Sequence, residues 1–309
     1  MKQMVKAKRM KLNSSDVIFN ILNYGFFMIF TLICIYPFYY LLINTISSNQ
    51  LSANGVINLI PKEIHIQNYI NVIKIRGLGT ALMISIARTL LGTTFTVLAS
   101  SFLGFMFTQQ KMWGRKFWYR FIVVTMYFNA GLIPMFLTMK NLHLTNTFWV
   151  YIIPAVVQPF NIILVKTYVE SIPSSLQEAA EIDGAGIITV FLRIILPTCK
   201  PILATIAIFS AVNQWNNFYD TLIYITDQKL YSLQYLLYCY INQANSLKAL
   251  INNATGGGGA ADMMALATQQ TPTSIRMTVT VIVVIPILCI YPIFQRYFVK
   301  GIMIGSVKG

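Results

Sequence analysis

Residues 178–197 read EAAEIDGAGIITVFLRIILP and close the most acidic stretch of an otherwise apolar chain. Glu170, Glu178, Glu181 and Asp183 place four of the nine acidic residues within fourteen positions. Charges at membrane depth are costly, so this segment belongs outside any bilayer. Just upstream, Ile172-Pro173-Ser174-Ser175 predicts a helix start, with a proline ahead of the first turn and Ser175 three residues before Glu178, the spacing of a capping box. The helix is expected to run to about Asp183, where Gly184 and Gly186 interrupt it. A second helical segment carries Val190 to Leu196, and Pro197 and Pro201 end it and restart the chain. A capping-box role would account for Glu178 with no partner at all, but not for the rest. Ala180 and Gly184, four apart, share a face that another backbone could approach closely, and Glu178 and Glu181 present carboxylates beside it. Such a surface suits a basic cleft.

Composition shows what surrounds the segment. Of 309 residues 56% are hydrophobic and 10% charged, against about 25% charged in ordinary soluble domains. A span needs ~20 mostly apolar residues. Six stretches qualify, at about 17–42, 80–107, 117–138, 148–169, 202–225 and 275–298. The reading is an all-α polytopic membrane protein with six transmembrane helices in one domain over 1–309, a cytoplasmic segment at 174–197 and an external loop at 226–274. The net charge of +14 is spread along the chain and skips the apolar runs, which is a topology signal rather than a nucleic-acid surface. Fifteen Lys and Arg fall on the side of the termini and the Glu178 segment and seven on the other, with Arg88 inside the second run. The positive-inside rule therefore puts both termini and the acidic segment in the cytoplasm. The basic N-terminus leads into an apolar run too long for a signal peptide and is read as an uncleaved span, with Tyr36-Pro37 kinking its outer end.

Several chemistries are excluded by pattern. Cys34, Cys199, Cys239 and Cys289 show no paired spacing, so neither a disulfide framework nor a zinc site is expected. His65 and His143 are isolated, and no Ser, His and Asp set converges. The glycines at 256–259 lack the Lys and Ser/Thr of a phosphate-binding loop. Energy from ATP must then arrive through another protein. Polar residues in the apolar runs form three clusters: Tyr127 and Asn129; Gln158 and Asn161; and Asn213, Trp215, Asn216, Asn217 and Tyr219. They either line a wet path, where amides and aromatic rings suit a sugar, or bond helix to helix.

Glu178-Ala179-Ala180, three residues, Gly184, nine residues, then Ile194, Leu196 and Pro197 resembles, at every position, the EAA signature of ABC-importer permeases. The fuller EAAEIDGA with RIILPTCKP looks like the carbohydrate-uptake branch, as do IPKEIHIQNY, NQWNNFYDTLIYI and YFVKGIMIGSVKG elsewhere. The ending is most similar to permeases for complex oligosaccharides, and 248–270 matches no motif of the branch. The resemblance implies the fold of a type I ABC importer permease whose acidic segment is a coupling helix, with Glu178, Ala179, Ala180, Glu181, Asp183 and Gly184 meeting a cytoplasmic ATPase. It also implies a multi-pass subunit of the bacterial cell membrane that is not itself an enzyme and has no cofactor of its own, ATP and magnesium belonging to the ATPase. The implied partners are a second, homologous permease, two ATPase copies and an extracytoplasmic sugar-binding protein. The rival readings are an ion-gradient-driven secondary transporter, for which Asp220 is the one acid in an apolar run, and a membrane enzyme, for which no reactive set exists.

Overall fold

The computed structural model describes residues 14–75, 77–242 and 272–301, and all regular structure among them is helical. The insert at 248–270, its glycines, and most of both charged tails lie outside the described residues.

Helix α1 (Ser14–Thr45) runs through Pro37 without interruption and is exposed along most of its length. Its far end is capped by the turn helices α2 (Asn49–Ala53) and α3 (Gln67–Ile73). There Asn44 is fully buried, donating to the Tyr40 and Ile57 carbonyls and accepting from Ser52. Helix α4 (Leu78–Met106) is the central strut, 29 residues or about 43 Å at 1.5 Å per residue. Helices α7 (Pro159–Glu170) and α11 (Lys200–Asn216), reached below, pack along it.

Close approach to α4 depends on two glycines. A Cβ at Gly92 would stand 2.6 Å from the Gln214 amide, and one at Gly104 would stand 2.7 Å from Val165 and 3.1 Å from the Lys166 backbone nitrogen. A side chain at Gly104 must therefore push α7 away. Overpacking of this kind costs about 1–3 kcal/mol. Gly104→Val is expected to lower the apparent unfolding temperature of the detergent-purified protein, and an unchanged melt would mean that α4 and α7 sit farther apart.

Three of the apolar runs expected to be single spans are interrupted. The run at 117–138 is two helices, α5 (Arg115–Thr125) and α6 (Leu132–Asn141). Between them the Asn129 carboxamide accepts from the Gly131 N–H, and Pro134 offers no donor to the first turn of α6. The run at 148–169 consists of two 3-10 turns, Phe148–Tyr151 and Ile153–Ala155, followed by α7 at a bend of 44°. Gln158 is extended there, as a residue before proline is pushed to be. The run at 202–225 breaks at Asn217 between α11 and α12 (Tyr219–Tyr224). Among the described residues two helices, α1 and α4, are long and apolar enough to cross a membrane alone, or up to four spans if the bent pairs 148–170 and 187–216 each count as one. The C-terminal helix Pro272–Gly301 contains Pro286 and Pro292 and packs against α1 and α11.

Helix α8 (Ser175–Ile182) leads through α9 (Ile187–Val190), a π-helical turn Phe191–Ile195 and α10 (Leu196–Thr198) to a 79° bend into α11 at Cys199, between Pro197 and Pro201. This limb folds under the end of α4, where Phe105, Val165, Val169, Val190, Phe191, Ile195, Cys199 and Ile206 form one buried cluster.

Candidate functional site

Helix α8 is a short acidic rod laid across the end of that cluster. Its N-cap is Ser174 rather than Ser175, and neither serine makes a side-chain capping bond. The expected capping box is thus absent, and it does not account for Glu178. At the other end the Gly184 N–H bonds the Glu181 carbonyl at 3.1 Å and the Ala185 N–H bonds the Ala180 carbonyl at 2.9 Å, a Schellman turn. Gly184 has φ +82° with open space where a Cβ would be, so glycine is needed there for backbone conformation. Ala180 and Ala185 pack on the cluster beneath, which turns Ala180 inward. Of the two small residues, Ala180 thus packs on the chain's own core while Gly184 stays exposed.

What α8 presents outward is acid and apolar bulk. Ile182 is 86% exposed and Leu176 47%. Glu178, Ala179, Asp183 and Gly184 are exposed too, and among the described residues Glu178 and Asp183 have no side-chain hydrogen bond or ion pair. Glu181 is already engaged, 3.0 Å from Lys111 in the α4–α5 connection and accepting from Gln177 at 3.2 Å. Those two donors hold its carboxyl below the usual range. With the folded pKa depressed, this tie is fully present above the ordinary carboxylate pKa and is lost as pH falls through the lowered one. A firmer tie lies alongside, where Gln109 and Gln177 exchange amide hydrogen bonds of 2.7 and 3.3 Å, with Gln109 buried. Nothing in the local sequence pattern pointed to that pair.

The polar clusters of the apolar runs divide. Gln158, Asn161 and Asn213 come together with Gln214, Ser210, Phe160, Phe209 and Ala155 around an open cleft of about 140 Å³. Asn161 and Asn213 carry carboxamides that bond no described residue, whereas Gln158 donates to the Ala155 carbonyl at 3.3 Å. Trp215 is a correction: it is buried and its indole N–H donates to the Val283 carbonyl at 3.1 Å, so it faces the C-terminal helix. Asn216 accepts from Gln234, and Asn217 caps α12 by accepting from the Tyr219 and Asp220 N–H groups. Tyr219 is exposed beside that cap. Tyr127, 86% exposed, and Asn129 stay at the α5–α6 break and do not line the cleft.

Behind the cleft wall sits the most buried charge in the described chain. Arg88, 1% exposed, donates to Gln214 Oε1, to the Asn217 carbonyl at 2.8 Å and to Asp220 at 2.7 Å, and it stacks 4.3 Å from the Tyr151 ring. The sequence held the signal: one arginine and one acid, each alone in an apolar run, are expected to find each other.

A family model described as the binding-protein-dependent transport system inner membrane component matches residues 97–304, taking in the cleft, α8 and the bend into α11. The chain belongs to this family. One relative of this inner membrane component is the polygalacturonan/rhamnogalacturonan transport system permease protein YtcP of Bacillus subtilis (strain 168), 32% identical over 292 residues, 94% of this chain and 99% of that protein. Another is the arabinooligosaccharides transport system permease protein AraQ of Halalkalibacterium halodurans, 28% identical over 309 residues, with 97% and 100% covered. A chain in the crystal structure of a bacterial ABC transporter involved in the import of the acidic polysaccharide alginate aligns with a TM-score of 0.80 at 28% identity, covering 93% of this chain and 98% of that one. The inner membrane component thus has the fold of an ABC importer permease and is an integral membrane transport component.

Proposed function

We propose that this chain is the permease subunit of an ATP-driven importer for oligosaccharides released from polysaccharides. It forms half of the translocation path with a second, homologous permease, while two copies of a cytoplasmic ATPase carry ATP and magnesium and an extracytoplasmic binding protein delivers the sugar. The observation that carries the reading is α8 with its C-cap, where Glu178, Ile182 and Asp183 stand exposed and unengaged in a chain of the binding-protein-dependent family. A carboxylate meeting a guanidinium in a cleft of the ATPase makes a directional, charge-assisted bond, and Ile182 supplies apolar contact beside it. Closure of the ATPases on ATP moves the α8 limb, and the limb moves α4 through the Gln109–Gln177 pair and the cluster around Phe105. The sugar class is supported by the printed substrates of the relatives and by the cleft, where free amides stand near two aromatic rings. Against the ion-driven alternative, its one candidate coupling acid, Asp220, is tied to Arg88.

The proposed layout is six spans with both termini cytoplasmic, the interrupted runs 117–138, 148–169 and 202–225 each counting once. In a background without the native cysteines, accessibility labelling should find positions 5 and 303 cytoplasmic and positions 55 and 257 external. External labelling of either terminus in intact cells contradicts the layout. The transport reading is tested by purifying the chain with its neighbours and titrating the binding protein with digests of polygalacturonan, arabinan and alginate by calorimetry. One digest should bind and stimulate ATP hydrolysis by the complex in liposomes. Asn161→Leu should then cut import several-fold with assembly intact, and unchanged import would remove Asn161 from the path.

A further inference from the structure

One guanidinium holds three elements at the place where the fifth apolar run stops being helical. Helix α11 ends at Asn216, Asn217 is extended with ψ 109°, and α12 restarts at Tyr219. Arg88 on α4 binds both sides of that break: Nη1 donates to the Asn217 carbonyl and Nη2 to Asp220 in the first turn of α12, while Nε and Nη2 share Gln214 Oε1 on α11. Asp220 also accepts from the Asn217 carboxamide at 2.9 Å. A planar fork with five donors reaches these acceptors at once, which a lysine ammonium on its single point cannot do.

The same bonds run in two directions. Toward the cleft, fixing Gln214 Oε1 on Arg88 aims its amide N–H at the Tyr151 carbonyl at 3.1 Å, so the orientation of this cleft-lining side chain is set from behind. Away from the cleft, the Tyr151 hydroxyl meets Thr221 at 2.9 Å and donates to the Leu230 carbonyl at 2.7 Å, and Thr221 meets Ser232 at 2.9 Å. The helix over 233–242 begins there, with the Leu233 N–H bonded to Ser85, one turn before Arg88 on α4, and Tyr238 stacked 4.7 Å from Phe218 at the break.

We infer that Arg88 and Asp220 are positioning residues that keep the break at 217–218 a rigid joint, through which displacement of the 230–242 segment reaches Gln214 and the cleft. The inference rests on the transport reading and assigns it a relay between its outer segment and its path. The test uses the complete complex in liposomes with its binding protein loaded with whichever of the polygalacturonan, arabinan and alginate digests it binds by calorimetry. Arg88→Lys and Asp220→Asn are expected to assemble with the ATPase and keep basal ATP hydrolysis, while stimulation by loaded binding protein falls about tenfold or more. The double variant should be no worse than either single one, as residues acting through one bond are not additive. Tyr151→Phe, which removes the hydroxyl relay and leaves the ion pair, should lower stimulation in the same direction, and it carries the test if the Arg88 variants fail to assemble. Wild-type stimulation per assembled complex in Arg88→Lys, or in Tyr151→Phe where the former does not assemble, overturns the joint. A wild-type complex that ignores loaded binding protein overturns the transport reading instead.

Discussion

Gly184→Leu is expected to strip the partner ATPase from the purified transporter and to abolish hydrolysis stimulated by loaded binding protein. The reason is conformational. Gly184 adopts φ +82°, a region that costs a residue with a Cβ about 1–2 kcal/mol, and the Schellman bonds from Gly184 and Ala185 depend on it. Unwinding that turn redirects Asp183 and Ile182 together and pulls Ala180 and Ala185 off the cluster beneath. If Glu178 meets a guanidinium of the ATPase as proposed, Glu178→Ala removes one partner of a desolvated charge pair, typically ~2–5 kcal/mol, or tens- to thousands-fold in affinity. Glu178→Gln is expected to be milder, since the amide keeps one hydrogen bond. Co-purification of the ATPase and ATP turnover in liposomes report both effects. A Gly184→Leu complex that stays assembled and responsive would mean α8 is not the coupling element.

The second large effect is expected at Leu233. This side chain is 1% exposed in a cluster with Val72, Leu78, Trp215, Val279 and Val283, and so joins α3, α4, α11 and the C-terminal helix. Truncating a buried leucine costs about 2–5 kcal/mol. Leu233→Ala should lower the unfolding temperature of the complex and loosen the 233–242 helix from α4, so that import collapses while α8 still holds the ATPase. Tyr240→Ala, at the rim of the open cavity that Tyr231, Gln228 and Lys229 also line, leaves that cluster intact and should spare stability. If the two substitutions melt alike, Leu233 does not anchor the segment.

The acidic segment was the most legible part of the chain, because charge, proline and glycine all act locally. The helix from Ser175, its stop before Gly184 and the proline-marked turn into α11 follow from them. What lies between partners distant in sequence was not legible. Ser175 and Glu178 have capping-box spacing, yet the helix starts one residue early and the box does not form. Ala180 and Gly184 share a spacing that does not show that Ala180 packs on the core or that Gly184 takes up a left-handed turn. Hydropathy marks apolar length without marking breaks inside it: 117–138, 148–169 and 202–225 each read as one span, a kink at Pro159 is the one break the pattern suggests, and the breaks before Pro134 and at Asn217 are not marked. At the cleft the Asn161 and Asn213 amides come together, whereas Trp215 satisfies its indole on a neighbouring helix. Arg88 and Asp220, 132 positions apart, were each visible alone, and only the packing of α4 on α11 pairs them.

Contact between α8 and the ATPase is measured most directly at Ile182, the most exposed large apolar side chain of that helix. With Cys34, Cys199, Cys239 and Cys289 replaced, Ile182→Cys is labelled with a thiol-reactive benzophenone in the assembled transporter and photolysed, so that the label inserts into C–H bonds of whatever lies against position 182. The account predicts a crosslink to the ATPase whose yield changes when ATP is added, and no crosslink to the binding protein. Absence of any ATPase adduct from position 182 in a complex that still imports sugar would contradict it.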